Sequence, residues 1–427
     1  MNTTKLLEHL KSGALDARLT ALYGADALSA QRARYEKAIL AFTELYGERE
    51  SCRLLSVAGR SELSGNHTDH NRGCVIAASI DLDIIAVAAQ TDDGVVRVKS
   101  EGHAEDTVEL ASFTAPRAER YSRSDALIAG MCVGMKKAGY RVGGFVAYTT
   151  SSVLKGSGLS SSAAFEDMIG NIENYLYNDG KVDNVEIAKI AQYAENEFFG
   201  KPCGLMDQMA CAVGGIIAID FADNAKPVIE KQSFDLTRAG YHLCIVNTGG
   251  NHADLTPDYA AVPAEMKAVA KALGKTVLRE TDEAAVIAAA PELRKTVGDR
   301  AILRALHFFG ENRRVGAQKA ALEHGDLATF LSLVRASGRS SFCYLQNVYT
   351  TKNVAEQGLS LALCLAENYL SDKDAAWRVH GGGFAGTVQA FVPTPHVAGF
   401  RSLMDSVFGE GACMVLRVRA EGATAVY

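Results

Sequence analysis

Two stretches of this chain gather side chains that could do chemistry, and a third contributes a lone carboxylate. The first stretch is Leu154-Lys-Gly-Ser-Gly-Leu-Ser-Ser-Ser-Ala-Ala164, which runs straight into a helical pattern of Phe165, Met168, Ile169, Ile172 and Leu176. A glycine-rich loop feeding a helix start suits phosphate. Glycine lets the backbone approach the anion, and the unpaired N–H groups of the first turn point at it. The hydroxyls of Ser160, Ser161 and Ser162 can reach phosphate oxygens or a bound Mg²⁺. An ordinary serine-capped helix would read the same way. The pattern G-x-x-x-x-G-K-[ST] does not occur, and G-x-G-x-x-G fails because Ser161 stands where the third glycine belongs, so a phosphate held here is held by neither loop.

The second stretch, Gly59-Arg-Ser-Glu-Leu-Ser-Gly-Asn-His-Thr-Asp-His-Asn-Arg-Gly73, crowds charged and amide side chains into a turn-rich segment after a strand pattern. It suits a ligand with many hydroxyls, each of which needs a partner once desolvated. A metal site on His67, Asp69 and His70, or a solvated turn, are the alternatives. Asp207 stands among apolar neighbours in Cys203-Gly-Leu-Met-Asp-Gln-Met, either capping a turn or acting beside a low-dielectric wall. Glu195 lies off the apolar face of the preceding helix and by itself reads as a solvated charge. His380-Gly-Gly-Gly resembles a lipase oxyanion string, but no G-x-S-x-G elbow occurs, which argues against a hydrolase and for a turn of close backbone approach.

The elements that must position these residues follow from periodicity. Residues 1 to about 48 read as helical, with Tyr35, Ile39, Phe42 and Tyr46 on one face. Short β patterns follow at 53–58, 84–89, 95–98 and 145–150, with a helix at 125–138 between them. A helix at 185–198 is capped by Asp183 and Glu186, and strands at 214–221 and 241–248 precede helices that run to about 370. A β-rich end holds 380–387 and 414–418. Strands and helices mix without a strict βαβ repeat, so the fold expected is α+β in two lobes, divided as 1–220 and 221–427. The net charge of −6 argues against nucleic-acid or membrane-surface binding. Nine cysteines, an odd number with no C-x-x-C pair, and a start without a signal-like apolar run lead us to expect a cytoplasmic protein.

Together the pieces resemble the galactokinase branch of the GHMP family of small-molecule kinases. Gly59–Asn71 resembles the sugar motif G-R-V-N-L-I-G-E-H-T-D-Y-N, and Leu154–Ala163 the loop P-x-G-x-G-L-S-S-S-A. Ala194–Gln208 resembles A-E-N…C-G-I-M-D-Q, and His380–Thr387 resembles G-G-G-F-G-G-C-T. Asn247-Thr…His252…Leu255…Tyr259 is a looser match to N-T/S…H-x-L…S-E-Y. The resemblance implies a GHMP-kinase-like fold with mixed or antiparallel sheets and the active site in the cleft between lobes. It implies ATP and Mg²⁺, and transfer of the γ-phosphoryl to the anomeric hydroxyl of galactose. Asp207 would be the catalytic carboxylate with Arg60 beside it. Asn66, His67, Asp69, Gly204 and Tyr259 would bind the sugar. Lys155, Gly156, Ser157, Gly158, Leu159, Ser160 and Ser161 would hold the nucleotide, and Ser162 and Glu195 the metal. The partners expected are a sugar and ATP, with no nucleic acid or membrane, the chain acting as a monomer with a larger assembly left open.

The departures lie in the sugar motif. Asn66 stands where the family has glutamate and His70 where it has tyrosine, while Ser61-Glu62 replaces Val-Asn. Loss of a carboxylate at Asn66 drops an acceptor and a charge, which opens galacturonate, L-arabinose or N-acetylgalactosamine as alternative substrates. A sensor that binds sugar and ATP without turnover is the alternative from another class.

Overall fold

The computed structural model describes residues 1–153, 158–201, 203–250 and 255–427. Lys155, Gly156, Ser157 and His252 therefore lie outside the described residues. Strands are numbered in chain order. An eight-stranded sheet holds β1 (Arg53–Ser64), β2 (Cys74–Thr91), β3 (Val95–Ser100), β4 (Glu105–Glu109), β5 (Gly144–Ser151), β6 (Ile216–Asp220) and β7 (Val228–Gln232). A four-stranded sheet holds β8 (Tyr241–Asn247), β9 (Ala376–His380), β10 (Thr387–Pro393) and β11 (Cys413–Leu416), and β12 (Ala423–Ala425) returns to the first sheet.

The long strand β2 is the spine, and its alternation explains the layering. Ile85, Val87 and Ala89 meet Tyr35, Ile39 and Phe42 of the helix Leu28–Tyr46 on one face. Ile84, Ala86 and Ala88 meet Met168, Ile169 and Ile172 of the helix Ser161–Tyr177 on the other. Nearer its start, Ile76, Ala78 and Ile80 pack with Leu243 and Ile245 of β8, which joins the two sheets in one core. In the second sheet Cys244 and Val246 alternate with that pair and bury against the helices Gly358–Leu370 and Val397–Phe408. All ladders are antiparallel except β3 with β5. The fold is α+β in two lobes, with β7 and β12 as returns of the later chain into the first sheet: β12 pairs with β1 through Leu55–Ala425, Ser56–Thr424 and Val57–Ala423.

Two local features bear on the site. β1 carries register breaks between Ala58 and Arg60 and between Glu62 and Ser64, the kind of irregularity that re-aims side chains. The expected helix at 185–198 is α-helical over Asn184–Tyr193, with Asp183 accepting from the Val185 N–H, and then widens to a π-turn over Ala194–Phe199 that carries Glu195.

Candidate active site

Arg60 leaves β1 and points at the start of the helix Met206–Val213, where its Nε donates to Asp207 Oδ1 at 2.8 Å. Its Nη1 donates to the Gly158 carbonyl, and its backbone N–H donates to the Leu159 carbonyl at 3.2 Å, so β1 and the glycine loop are tied together. The guanidinium is buried, whereas the Asp207 side chain keeps 35% of its surface open. Burial pushes the Asp207 carboxyl up, but Arg60 and the Ser160 hydroxyl outweigh it and hold the group below its ordinary value. Asp207 is thus a carboxylate at neutral pH, within reach of a ligand.

Ser160 settles how the helix after the loop begins. It occupies the N-cap position with left-handed backbone (φ 58°, ψ 56°) and makes no side-chain cap bond. Its hydroxyl donates instead to Asp207 Oδ2. The serine-capped alternative therefore does not hold, and the first-turn N–H groups have no side-chain cap from Ser160. Leu159 is fully buried in the core shared with the second sheet. Ser161 and Ser162 line a cavity of about 710 Å³ together with Thr149, Ser151 and Phe165.

A second cavity, of about 220 Å³, opens at Asp207. Arg60, His67, Asp69, Gly204 and Asp207 all line it, and so do Glu62, His70, Lys201, Gly381 and Gly382. His67 has left-handed backbone (φ 59°), and its Nε2 donates to the Gly382 carbonyl at 2.9 Å. Burial lowers its pKa to about 4, so the ring is neutral. Gly204 lies so close to Asp69 that a Cβ there would run into the Asp69 carboxylate. The His380-Gly-Gly-Gly turn brings backbone against backbone: the carbonyls of Gly381 and Gly382 accept from Asn66 and His67.

Two expected sugar residues lie off this cavity. Tyr259 stands behind its wall, stacked edge-on to Phe384 with centroids 5.4 Å apart and donating to the Gly383 carbonyl at 2.8 Å. Asn66 is fully buried and spent. Its Nδ2 donates to Glu62 Oε1 (3.1 Å) and the Gly381 carbonyl (2.7 Å), while its Oδ1 accepts from Asn347 (2.8 Å) and Ser341 (3.2 Å). Both N–H groups and both lone pairs are used, so a ligand has nothing left to take. Glu62, by contrast, is on the cavity wall and pairs with the buried Arg378 at 2.8 Å. Burial lifts its carboxyl above the ordinary value against the pull of Arg378 and Arg60. Sequence reasoning noted Glu62 only as a departure. The signal available was its i, i+2 spacing from Arg60 on a strand, which puts both on one face.

Glu195 is buried rather than solvated. Its Oε1 pairs with Lys201 at 2.8 Å and its Oε2 accepts from Gln208 at 2.8 Å; the same Gln208 amide reaches Glu166 Oε2 at 3.1 Å. Glu166 Oε1 and Gln208 Oε1 are buried without a partner among the described residues. Two carboxylates sharing one amide, one of them paired with a lysine, with spare oxygens beside them, form a donor set that fits a hard cation. Among the described residues no three His, Cys, Asp or Glu side chains group as a ready metal site, so the His67–Asp69–His70 alternative gains no support. No helix among them is long and apolar enough to cross a membrane.

A small polyhydroxyl-suited cavity, a serine at the start of a helix, and an arginine-held carboxylate that lines the first and bonds the second are the parts of a phosphoryl-transfer site. Residues 126–215 match the GHMP kinases N terminal domain, and residues 40–90 the galactokinase galactose-binding signature. The chain is 30% identical over 383 residues to a galactokinase of Streptomyces coelicolor, covering 88% of this chain and 94% of that one. It is also 30% identical over 395 residues to the galactokinase of Homo sapiens, covering 90% and 94%. The solved Lactococcus lactis galactokinase complexed with galactose superposes with a TM-score of 0.76 at 26% identity, over 90% of this chain and 98% of that one. The chain belongs to the galactokinase family.

Proposed function

We propose that this chain transfers the γ-phosphoryl group of ATP to the anomeric hydroxyl of galactose, giving galactose 1-phosphate and ADP. The observation that carries this reading is Asp207, held by Arg60 and by Ser160 of the glycine–serine loop and open to the smaller cavity. Galactose occupies the smaller cavity, with Asp69, His67 and the backbone of Gly204 as its contacts and Tyr259 firming the wall behind. ATP lies along the larger cavity. Its phosphates meet the loop from Lys155 to Ser161 and the N–H groups at the start of the helix Ser161–Tyr177. The anomeric oxygen attacks the γ-phosphorus in line, its proton passes to the Asp207 carboxylate, and the bond from that phosphorus to the β–γ bridging oxygen breaks to release ADP. Arg60 keeps Asp207 ionised and adds positive charge where the phosphoryl oxygens gather it. Ser162 and Glu195 are the residues that would hold Mg²⁺, with Glu166 next to Glu195; bound there, the ion neutralises phosphate charge.

Asp207→Asn tests the reading. The variant keeps one oxygen to accept from Arg60, turns an N–H₂ toward Ser160 and removes the proton acceptor, so kcat is expected to fall by about 10²–10⁴-fold in a chain that still folds. ADP release with galactose measures it. Near-normal turnover in a folded variant would take Asp207 out of the role, and absence of ADP release by the wild type with galactose would sink the kinase reading.

A further inference from the structure

The sugar motif of this chain differs from its family's in two polar positions that touch each other. Where the family spells Asn and Glu four residues apart, this chain has Glu62 and Asn66, and Asn66 Nδ2 donates to Glu62 Oε1 at 3.1 Å. The carboxyl group has therefore not been lost from the motif. It stands at the other end of one hydrogen bond. The geometry points to Glu62 as the residue that reads the sugar's hydroxyls, with Asn66 as the buried amide that positions it.

Three observations carry the assignment. Glu62 lines the 220 Å³ cavity beside Arg60 and Asp207, and Asn66 does not. Glu62 Oε1 is fixed by Arg378 Nη2 at 2.8 Å and by Asn66, while Oε2 takes no hydrogen bond among the described residues. It is the one oxygen of the pair free for a ligand hydroxyl. Arg378 is itself fully buried and held by the carbonyls of Leu63 and Val379, so the carboxyl group is anchored from behind and cannot swing away. A hydroxyl donor is what such an oxygen takes. A second carboxylate, as on galacturonate, would meet it oxygen to oxygen with no proton between them. The site is thus built for a neutral sugar, and the change at Asn66 does not turn it toward an acidic one.

This inference rests on the galactose-kinase reading, and its test separates the two. Wild type, Glu62→Gln and Glu62→Asp would be assayed for ADP release with galactose and with galacturonate, and melted to check folding. Wild type is expected to use galactose and not galacturonate. Glu62→Gln keeps an acceptor for Arg378 but loses the charge, and KM for galactose is expected to rise about 10- to 100-fold with kcat within a few-fold of wild type. Glu62→Asp keeps the charge but draws its oxygens back by one methylene, and KM is expected to rise by about tenfold. An unchanged galactose KM in folded Glu62→Gln would overturn the assignment and leave the kinase reading standing, as would wild-type preference for galacturonate. Should Glu62→Gln fail to fold, Glu62→Asp decides: a KM raised about tenfold with kcat within a few-fold of wild type supports the assignment, and an unchanged KM overturns it. A wild type that neither binds nor turns over galactose takes both readings down.

Discussion

Gly204 shows how little room the sugar cavity has at the scale of one atom. A methyl group there would collide with the Asp69 carboxylate, which the loop Gly65–Gly73 holds at the cavity wall. Asp69 must then turn away from where a sugar hydroxyl would meet it, while Asp207 and Arg60 keep their places. Gly204→Ala is therefore expected to raise KM for galactose by about 10- to 100-fold, the worth of a hydrogen bond to a charged group, with kcat changed only a few-fold. Steady-state kinetics read the split, and a fall in kcat at constant KM would move Gly204 from sugar placement to the chemistry. Residues like these were legible from the sequence because they sit in strings whose spacing is unusual for structure alone. Asp207, Arg60, His67 and Asp69 all reach one cavity. Asn66 and Glu62 were not, because which of two polar neighbours faces a cavity depends on the register breaks in β1 and on Arg378, more than 300 residues away in sequence.

At the scale of elements, the loop after β1 is held by a helix from the other lobe. The helix Asp299–Glu323 presents His307, whose Nε2 donates to the Asn66 carbonyl at 3.0 Å, and Glu311, whose Oε1 accepts from the Gly65 N–H at 3.1 Å. Glu311 also takes Ser337 and Arg314, and is fully buried. Burial pushes its carboxyl up, but His307, Arg314 and Arg378 prevail and hold it at about 2, against 4.5 for the free group. A folded-state pKa below the unfolded one means the unfolded chain binds the proton first as pH falls. The stabilisation is therefore complete above about 4.5 and is lost on the way down to about 2. Glu311→Gln is expected to cost on the order of 3 kcal/mol at neutral pH and to melt with a flatter profile than wild type between those limits. Urea melts at several pH values measure it, and parallel profiles would remove Glu311 as the anchor. None of this was readable beforehand: the helix showed its apolar face, while His307 and Glu311 carry no local pattern that names a loop 240 residues earlier. The π-turn at Glu195 was hidden for a related reason, since a run that starts as a good α-helix gives no sign that one extra residue in its last turn redirects a carboxylate inward.

At the scale of the molecule, the question is whether the two lobes stand alone. We propose residues 1–220 and 221–427 as the lobes, yet the end of the second is built into the first. Arg419 is fully buried between β1 and β2, donating to Ser56 Oγ at 2.7 Å and Asp83 Oδ2 at 3.1 Å. Arg18 from the N-terminal helices pairs with Glu421, and the last residues Val426 and Tyr427 donate to the Leu54 carbonyl. The strand β12 is only three residues, Ala-Thr-Ala, with no alternation to read, which is why the sequence suggested no return at all. Asp83 keeps Arg34 and Tyr23 when Arg419 is removed, but its charge pair loses one of two cations in a site closed to water. Breaking a buried pair from one side costs about 3–5 kcal/mol because the remaining charge is left undercompensated. Arg419→Ala is thus expected to lower stability by that amount. If the returning segment binds the lobes into one cooperative unit, wild type and variant each unfold in urea in a single step, seen alike by far-UV circular dichroism and by the fluorescence of the chain's one tryptophan, Trp377 on β9. The tryptophan lies in the sheet that Arg419 does not touch, so an early circular-dichroism transition in the variant with the fluorescence transition unmoved would show two independently folding lobes instead, tied at their ends without sharing their stability.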